Sequence, residues 1–358
     1  MNTLTRIALA GAIIGLVSGL WAGLLKLGFT WPAVLPTGAG QHGPLMISGF
    51  LGTLIALERA VALCAWTPMR WPIAAPLISG VGGLIILFGW SPALGRGLLV
   101  VAALILTLVC WRMARLQPAL HTWLLAAAAA NWVVGNLVWW SGGSIRAASI
   151  WWVGFLVLTV AAERLELGRV LRLGLAITRL FVGAVAAFSL GAALSMFWLE
   201  GGVRLAGAGL ALLGGWLLRY DIARQTIRAR SLTRYVAACL LVGHLWLLIG
   251  GVMWVVLPAS GGGGIYDAVL HSVLLGFIFS MIFGHAPIIL PALTGRGVAL
   301  YTPVLYVPLA LMHGALLVRL VGDLLPDLAL RQWGGLLNVI AVVLFAGLAV
   351  SRLIRSPA

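Results

Sequence analysis

Twelve stretches of mostly apolar residues follow one another along the chain. Each is close to the roughly 20 residues that a helix needs to cross a bilayer. They run approximately over 6–29, 43–65, 73–91, 95–113, 120–140, 146–164, 176–198, 203–220, 235–257, 265–290, 301–320 and 332–353. Within each run the apolar character is continuous, without the ten-residue alternating segments of a membrane barrel. The connections are short and rich in Gly, Pro and Ser, as in Pro258-Ala-Ser-Gly-Gly-Gly-Gly264, and none could hold a soluble domain. The pattern predicts an all-α polytopic membrane protein of about 12 helices, one integral domain over 1–358.

Composition narrows the choice of function. Of 358 residues 62% are hydrophobic and only 9% charged, against about 25% charge in a soluble domain. That excludes a soluble enzyme and a disordered chain. A net charge of +15 raises nucleic acid as a partner, but the arginines are scattered between long apolar runs, so the expected partner is the lipid bilayer. Lys and Arg favour the cytoplasmic side of membrane helices. With the N-terminus inside, seventeen of the 23 basic residues lie inside and six (Lys26, Arg96, Arg146, Arg204, Arg319, Arg331) outside. Both termini are therefore expected in the cytoplasm, and the charge is mostly a topological signal. The first run is read as a retained helix rather than a cleaved signal peptide. Trp139-Trp140 and Trp151-Trp152 fall near run ends, as interfacial belts do. Cys64, Cys110 and Cys239 match no metal spacing and face a reducing compartment, so no disulfide is expected.

A repeat is visible in the second, sixth and tenth runs. They carry Gly49-Phe50, Gly154-Phe155 and Gly276-Phe277, and eight positions after each Phe stand Glu58, Glu163 and His285. The Phe positions are 105 and 122 residues apart, about four helices per unit. This predicts three pseudo-equivalent four-helix arcs near 1–116, 117–231 and 232–358.

Ionisable groups inside a bilayer are costly and mark function by default. His42 and His271 stand near the outer ends of the second and tenth runs, eight and six positions before the aligned Phe. Their depths differ by roughly 3 Å at ~1.5 Å rise per residue. Either one alone reads as a loop cap or a partner for backbone carbonyls; two imidazoles at one depth can clamp an iron porphyrin. His244 and His313 lie near mid-membrane, where they either hydrogen-bond across helices or ligate a metal. His285 follows His271 by fourteen residues, close to four helical turns, so both are expected on one face. His121 is expected at the interface. Glu58-Arg59 and Glu163-Arg164 read as neutralised pairs snorkelling to the inner surface, or as a proton-coupling site at the inner mouth. Asn131 and Asn136 are expected to bond helix to helix.

Gln41-His42-Gly43-Pro44-Leu45-Met46, opening the second run, and His271-Ser-Val-Leu-Leu-Gly-Phe277, continuing to Pro291-Ala-Leu-Thr-Gly-Arg296, resemble the corresponding parts of haem–copper oxidase subunit I. That resemblance implies twelve helices in three arcs and a low-spin haem b held by His42 and His271. It departs where the family binds copper: the sixth and seventh runs contain no His, and Val269 and Val273 stand two positions from His271. The layout is also similar to the NnrS-like family, without its Phe-Arg-Pro-Phe-Phe opening or its Trp-His-x-His-Glu-Met motif. These resemblances imply a bacterial inner-membrane protein of redox or nitric oxide metabolism. They also imply a membrane or periplasmic electron donor; from the residues themselves, copper or a second haem on His244, His285 and His313 is a further expectation. The competing expectations are a proton-coupled transporter or channel without haem, using Glu58, Arg59, Glu163 and Arg164, and a non-catalytic scaffold.

Overall fold

The computed structural model describes residues 3–32, 38–294 and 299–355. Gly295 and Arg296, which close the stretch compared with subunit I, lie outside the described residues. Among those described there is no strand, and twelve helices are long and apolar enough to cross a membrane. They are α1 (Thr3–Lys26), α2 (Gly38–Trp66), α3 (Trp71–Phe88), α4 (Pro92–Leu116), α5 (Leu120–Trp140) and α6 (Ile145–Leu171). Then come α7 (Leu175–Leu194), α8 (Leu199–Tyr220), α9 (Ser231–Val256), α10 (Gly263–Pro291), α11 (Pro303–Leu324) and α12 (Leu328–Ile354). The protein is an all-α polytopic membrane protein. Each expected run has its helix, because a buried backbone in lipid must satisfy its own polar groups and a helix does so within one segment.

The helix ends are set by local chemistry. Gly89 ends α3 in the left-handed conformation at φ 67°, which a side chain would oppose. Pro92 opens α4 at its first position, where its missing N–H costs nothing.

Packing groups the chain into two compact units, 1–162 and 163–358. In the first, α1 lies along α2 and α3, and α4 packs between α3 and α5. In the second, α8 packs between α7 and α9, α9 lies along α10, and α11 pairs with α12. Small residues allow these approaches, as membrane helices require. A Cβ on Gly207 of α8 would stand 2.9 Å from the Gly251 carbonyl oxygen of α9, and one on Gly251 would stand 2.8 Å from that of Gly207. All three cysteines are free.

Two of the helices are not uniform. Within α2, residues Leu45–Gly52 form a π-helical segment, and within α10, Ser272–Phe279 form another. Both segments are eight residues long, and both hold the Gly-Phe pair at their fifth and sixth positions. A hydroxyl residue, Thr53 or Ser280, follows each directly. Gly154-Phe155, in contrast, lies in regular α-helix.

Candidate functional site

In the first unit the site is built around the π-helical segment of α2. His42 stands three residues before it, and its Nδ1–H donates to the Gly19 carbonyl oxygen of α1 at 2.7 Å. That bond places the neutral ring's lone pair on Nε2. Room for the ring comes from Gly23, where a Cβ would come within 2.8 Å of His42 Nδ1. Two turns towards the start of α1 from Gly23, a Cβ at Gly15 would meet the Gly49 carbonyl carbon at 2.7 Å. The α1 glycines at four-residue spacing thus seat α1 against the wide turns of α2.

A wide turn also changes where its carbonyls point. The Ser48 carbonyl accepts the Ser79 hydroxyl at 3.0 Å, and Thr53 donates to Ser79 Oγ at 2.9 Å. Ser48 Oγ accepts from Trp132 Nε1 at 3.0 Å and donates to Asn136 Oδ1 at 3.2 Å. Asn136 accepts from Trp152 Nε1 at 3.0 Å and donates to the Leu99 carbonyl at 3.1 Å. One network therefore ties α2 to α3, α4, α5 and α6. Asn136 bonds between helices as expected, whereas Asn131 bonds to Ala127 in its own helix. Trp139 and Trp152, expected in an interfacial belt, are buried with their rings edge-to-face, and the Trp152 N–H finds Asn136.

In the second unit α10 carries the equivalent device. His271 directly precedes the π-helical segment, and its Nδ1–H donates to the Asp267 carbonyl at 2.8 Å. The Asp267 side chain belongs to a buried charge cluster that sequence reasoning missed. Arg331 bridges Asp267 at 3.2 Å and Asp323 at 2.5 Å. Arg319 lies 3.9 Å from Asp267 and 3.8 Å from Asp323. Two Asp and two Arg from α10, α11 and α12 thus neutralise one another. Arg319 and Arg331, expected as topological charges, are therefore paired charges of the cluster. The i,i+4 spacing of Arg319 and Asp323 was the available signal; the other pairings join three helices and leave no sequence trace.

Below that cluster, Gly276 clears space for the Trp246 indole, whose Nε1–H donates to His313 Nδ1 at 3.0 Å. His313 Nε2 then faces Ser280 Oγ at 3.4 Å, while Ser280 donates to the Gly276 carbonyl. Both nitrogens of His313 are therefore engaged. His285 donates from Nδ1 to the Met281 carbonyl at 2.6 Å and accepts from Arg164 Nη2 at 2.9 Å. Arg164 is 3% exposed; it does not snorkel, because His285 gives it a buried partner. Arg59 keeps its sequence neighbour Glu58 at 3.2 Å. His244 is fully buried beside Phe277, and neither of its ring nitrogens has a hydrogen-bond partner. His121, expected at the interface, is buried in the first unit.

Two expectations change in detail. The expectation that His271 and His285 share one face assumes an unbroken α-helix. The intervening π-helical segment breaks that phase, since each added residue turns the remainder by about 100°. His244, His285 and His313 do not converge with other ligands: among the described residues no group of three His, Cys, Asp or Glu could hold a metal. Outside the membrane-spanning helices, Asp221 caps the turn after α8 by accepting the Ala223 N–H at 2.7 Å. Burial raises its carboxyl above the usual carboxylate range, with the Arg164 charge and the Ala223 bond pulling the other way.

Over residues 5–354 the chain matches a family model described as "Domain of unknown function (DUF8744)". No curated protein and no solved structure matches it.

Proposed function

Since the chain belongs to the DUF8744 family along almost its whole length, and that description carries no activity, we propose from its residues that it is a haem-binding membrane protein of redox or nitric oxide metabolism. One observation carries this reading. His42 and His271 each stand next to an eight-residue π-helical segment, and each donates Nδ1–H to a backbone carbonyl. Haem and metal ligands of the His type are commonly fixed this way, with the second nitrogen's bond setting tautomer and ring direction. Helices with π-turns concentrate at functional sites. His42 and His271 are the proposed axial ligands, and haem b supplies one-electron chemistry when bound. Of the three further histidines, His244 is the best placed to serve a second centre, because its nitrogens are uncommitted. The bacterial inner membrane, cytoplasmic termini, an electron donor from the membrane or periplasm, and the three-arc ancestry belong to the same proposal.

The test is the optical spectrum of the full chain purified from haem-replete cells, oxidised and then dithionite-reduced. A Soret band with sharp reduced bands is expected. His42→Ala and His271→Ala should each remove the low-spin signature if both bind one iron, and halve it if each binds its own. Absence of Soret absorption overturns the proposal.

The Arg164–His285 contact favours a second reading, a proton-coupled transporter without haem. Buried ionisable pairs of this kind mark proton relays in membranes. In that case Glu58→Gln or His285→Ala would abolish proton-coupled uptake in vesicles from protein that shows no haem absorption.

A further inference from the structure

Beside α8 of the second unit lies a cavity of about 490 Å³, lined by Arg219, Arg224 and Arg228 together with Leu171, Leu173 and Gln225. We infer that this cavity binds a phosphate-bearing anion. The positive-inside tendency explains how many arginines lie at one end of the helices. It does not explain why three of them converge on one concavity.

What marks the cavity is that three arginines without acidic partners line one concavity. Elsewhere, Arg59 is answered by Glu58, Arg204 by Glu200, and Arg319 and Arg331 by Asp267 and Asp323. Among the described residues none of the three cavity arginines forms an ion pair. The carboxylate in the lining, Asp221, spends Oδ1 on the Ala223 N–H and buries Oδ2. Two of the three guanidiniums have neighbours within the site. Arg219 lies 5.2 Å over the Tyr220 ring, and Arg224 Nη1 reaches the Arg219 carbonyl at 3.5 Å.

Guanidinium forks match phosphate oxygens and give charge-assisted, often bidentate hydrogen bonds. The volume lies within the ~300–1,000 Å³ usual for small-ligand sites. Leu171 and Leu173 add an apolar wall, which suits an esterified phosphate. Two sources share this chemistry: the headgroup of an anionic phospholipid and a soluble phosphate compound.

The experiment uses the full chain, purified and stripped of lipid in a neutral detergent. Thermal unfolding and native mass spectrometry are read with phosphatidylglycerol, phosphatidylcholine and inorganic pyrophosphate. A raised midpoint and retained adducts with phosphatidylglycerol alone assign the site to lipid. The same response to pyrophosphate assigns it to a soluble ligand. In either case Arg219→Gln/Arg224→Gln/Arg228→Gln should weaken binding by about tenfold or more, as expected when charged hydrogen bonds are lost. Arg230→Gln/Arg234→Gln, which removes nearby charge outside the cavity, should leave it within about twofold. Arg224 and Arg228 are exposed, so their single variants fold and provide the same comparison if the triple variant does not. No response to any probe, or a response equal in the wild type and the cavity variants, overturns the inference.

Discussion

Arg164 and His285, 121 residues apart in sequence, meet inside the second unit with Nη2 2.9 Å from Nε2. The guanidinium is buried, so its partner decides whether the position is tolerable. His285→Ala should destabilise the protein by about 2–3 kcal/mol, the scale of a charged hydrogen bond whose other half stays behind. Arg164→Gln combined with His285→Ala should cost less than the sum of the two single changes. Unfolding midpoints of the four proteins close this cycle, and strict additivity would deny the coupling.

The Asp267, Asp323, Arg319 and Arg331 cluster predicts an asymmetry. Asp323→Ala strands Arg319, which is 7% exposed, and should cost about 3–5 kcal/mol. Arg319→Met with Asp323→Leu removes a charge of each sign and should cost much less. Chemical unfolding in detergent measures both.

Gly23→Ala tests the seat of His42. The added methyl would fall 2.8 Å from Nδ1, so the ring must leave the Gly19 carbonyl or α1 must shift. A loss of about 1–3 kcal/mol is expected from such overpacking. If His42 ligates haem, the absorption spectrum should change in the same variant. Gly314→Ala, within α11 where an added Cβ meets nothing within 4 Å, provides the comparison for helix propensity alone.

Asp221 gives a pH dependence of known sign. Burial raises its folded pKa above the ordinary carboxylate value. Between the two values the native state holds the extra proton. Stability from this group is therefore complete below the ordinary value and is lost as pH rises through the raised one. Asp221→Asn keeps an oxygen for the Ala223 N–H but removes the titration. The wild type should fall relative to Asp221→Asn as pH is raised from about 4 to neutrality, read by thermal midpoints. A constant difference would contradict the assignment.

The helices were legible because continuous apolar runs and short Gly/Pro-rich links are local signals. The depth match of Glu163-Arg164 with His285 was also legible, and Arg164 does find His285. What stayed hidden depends on three-dimensional convergence or on helix phase. Nothing in Leu45–Gly52 or Ser272–Phe279 announces a π-turn, because the residues are ordinary apolar ones and the widening is imposed by packing. The Ser48–Asn136–Trp152 network joins residues up to 88 positions apart, and Trp near run ends reads as interfacial until its N–H is seen to have a buried partner. Asp267 and Asp323 pair with arginines on neighbouring helices, a convergence that topology does not encode.

The two-and-two balance of Asp267, Asp323, Arg319 and Arg331 also constrains how this chain can diverge. A single charge-changing step at any of the four positions leaves an unmatched charge in a medium that cannot solvate it. Viable routes therefore pass through paired exchanges, one acid with one base. Across related sequences the four columns should change together, as a single inherited character spread over three helices.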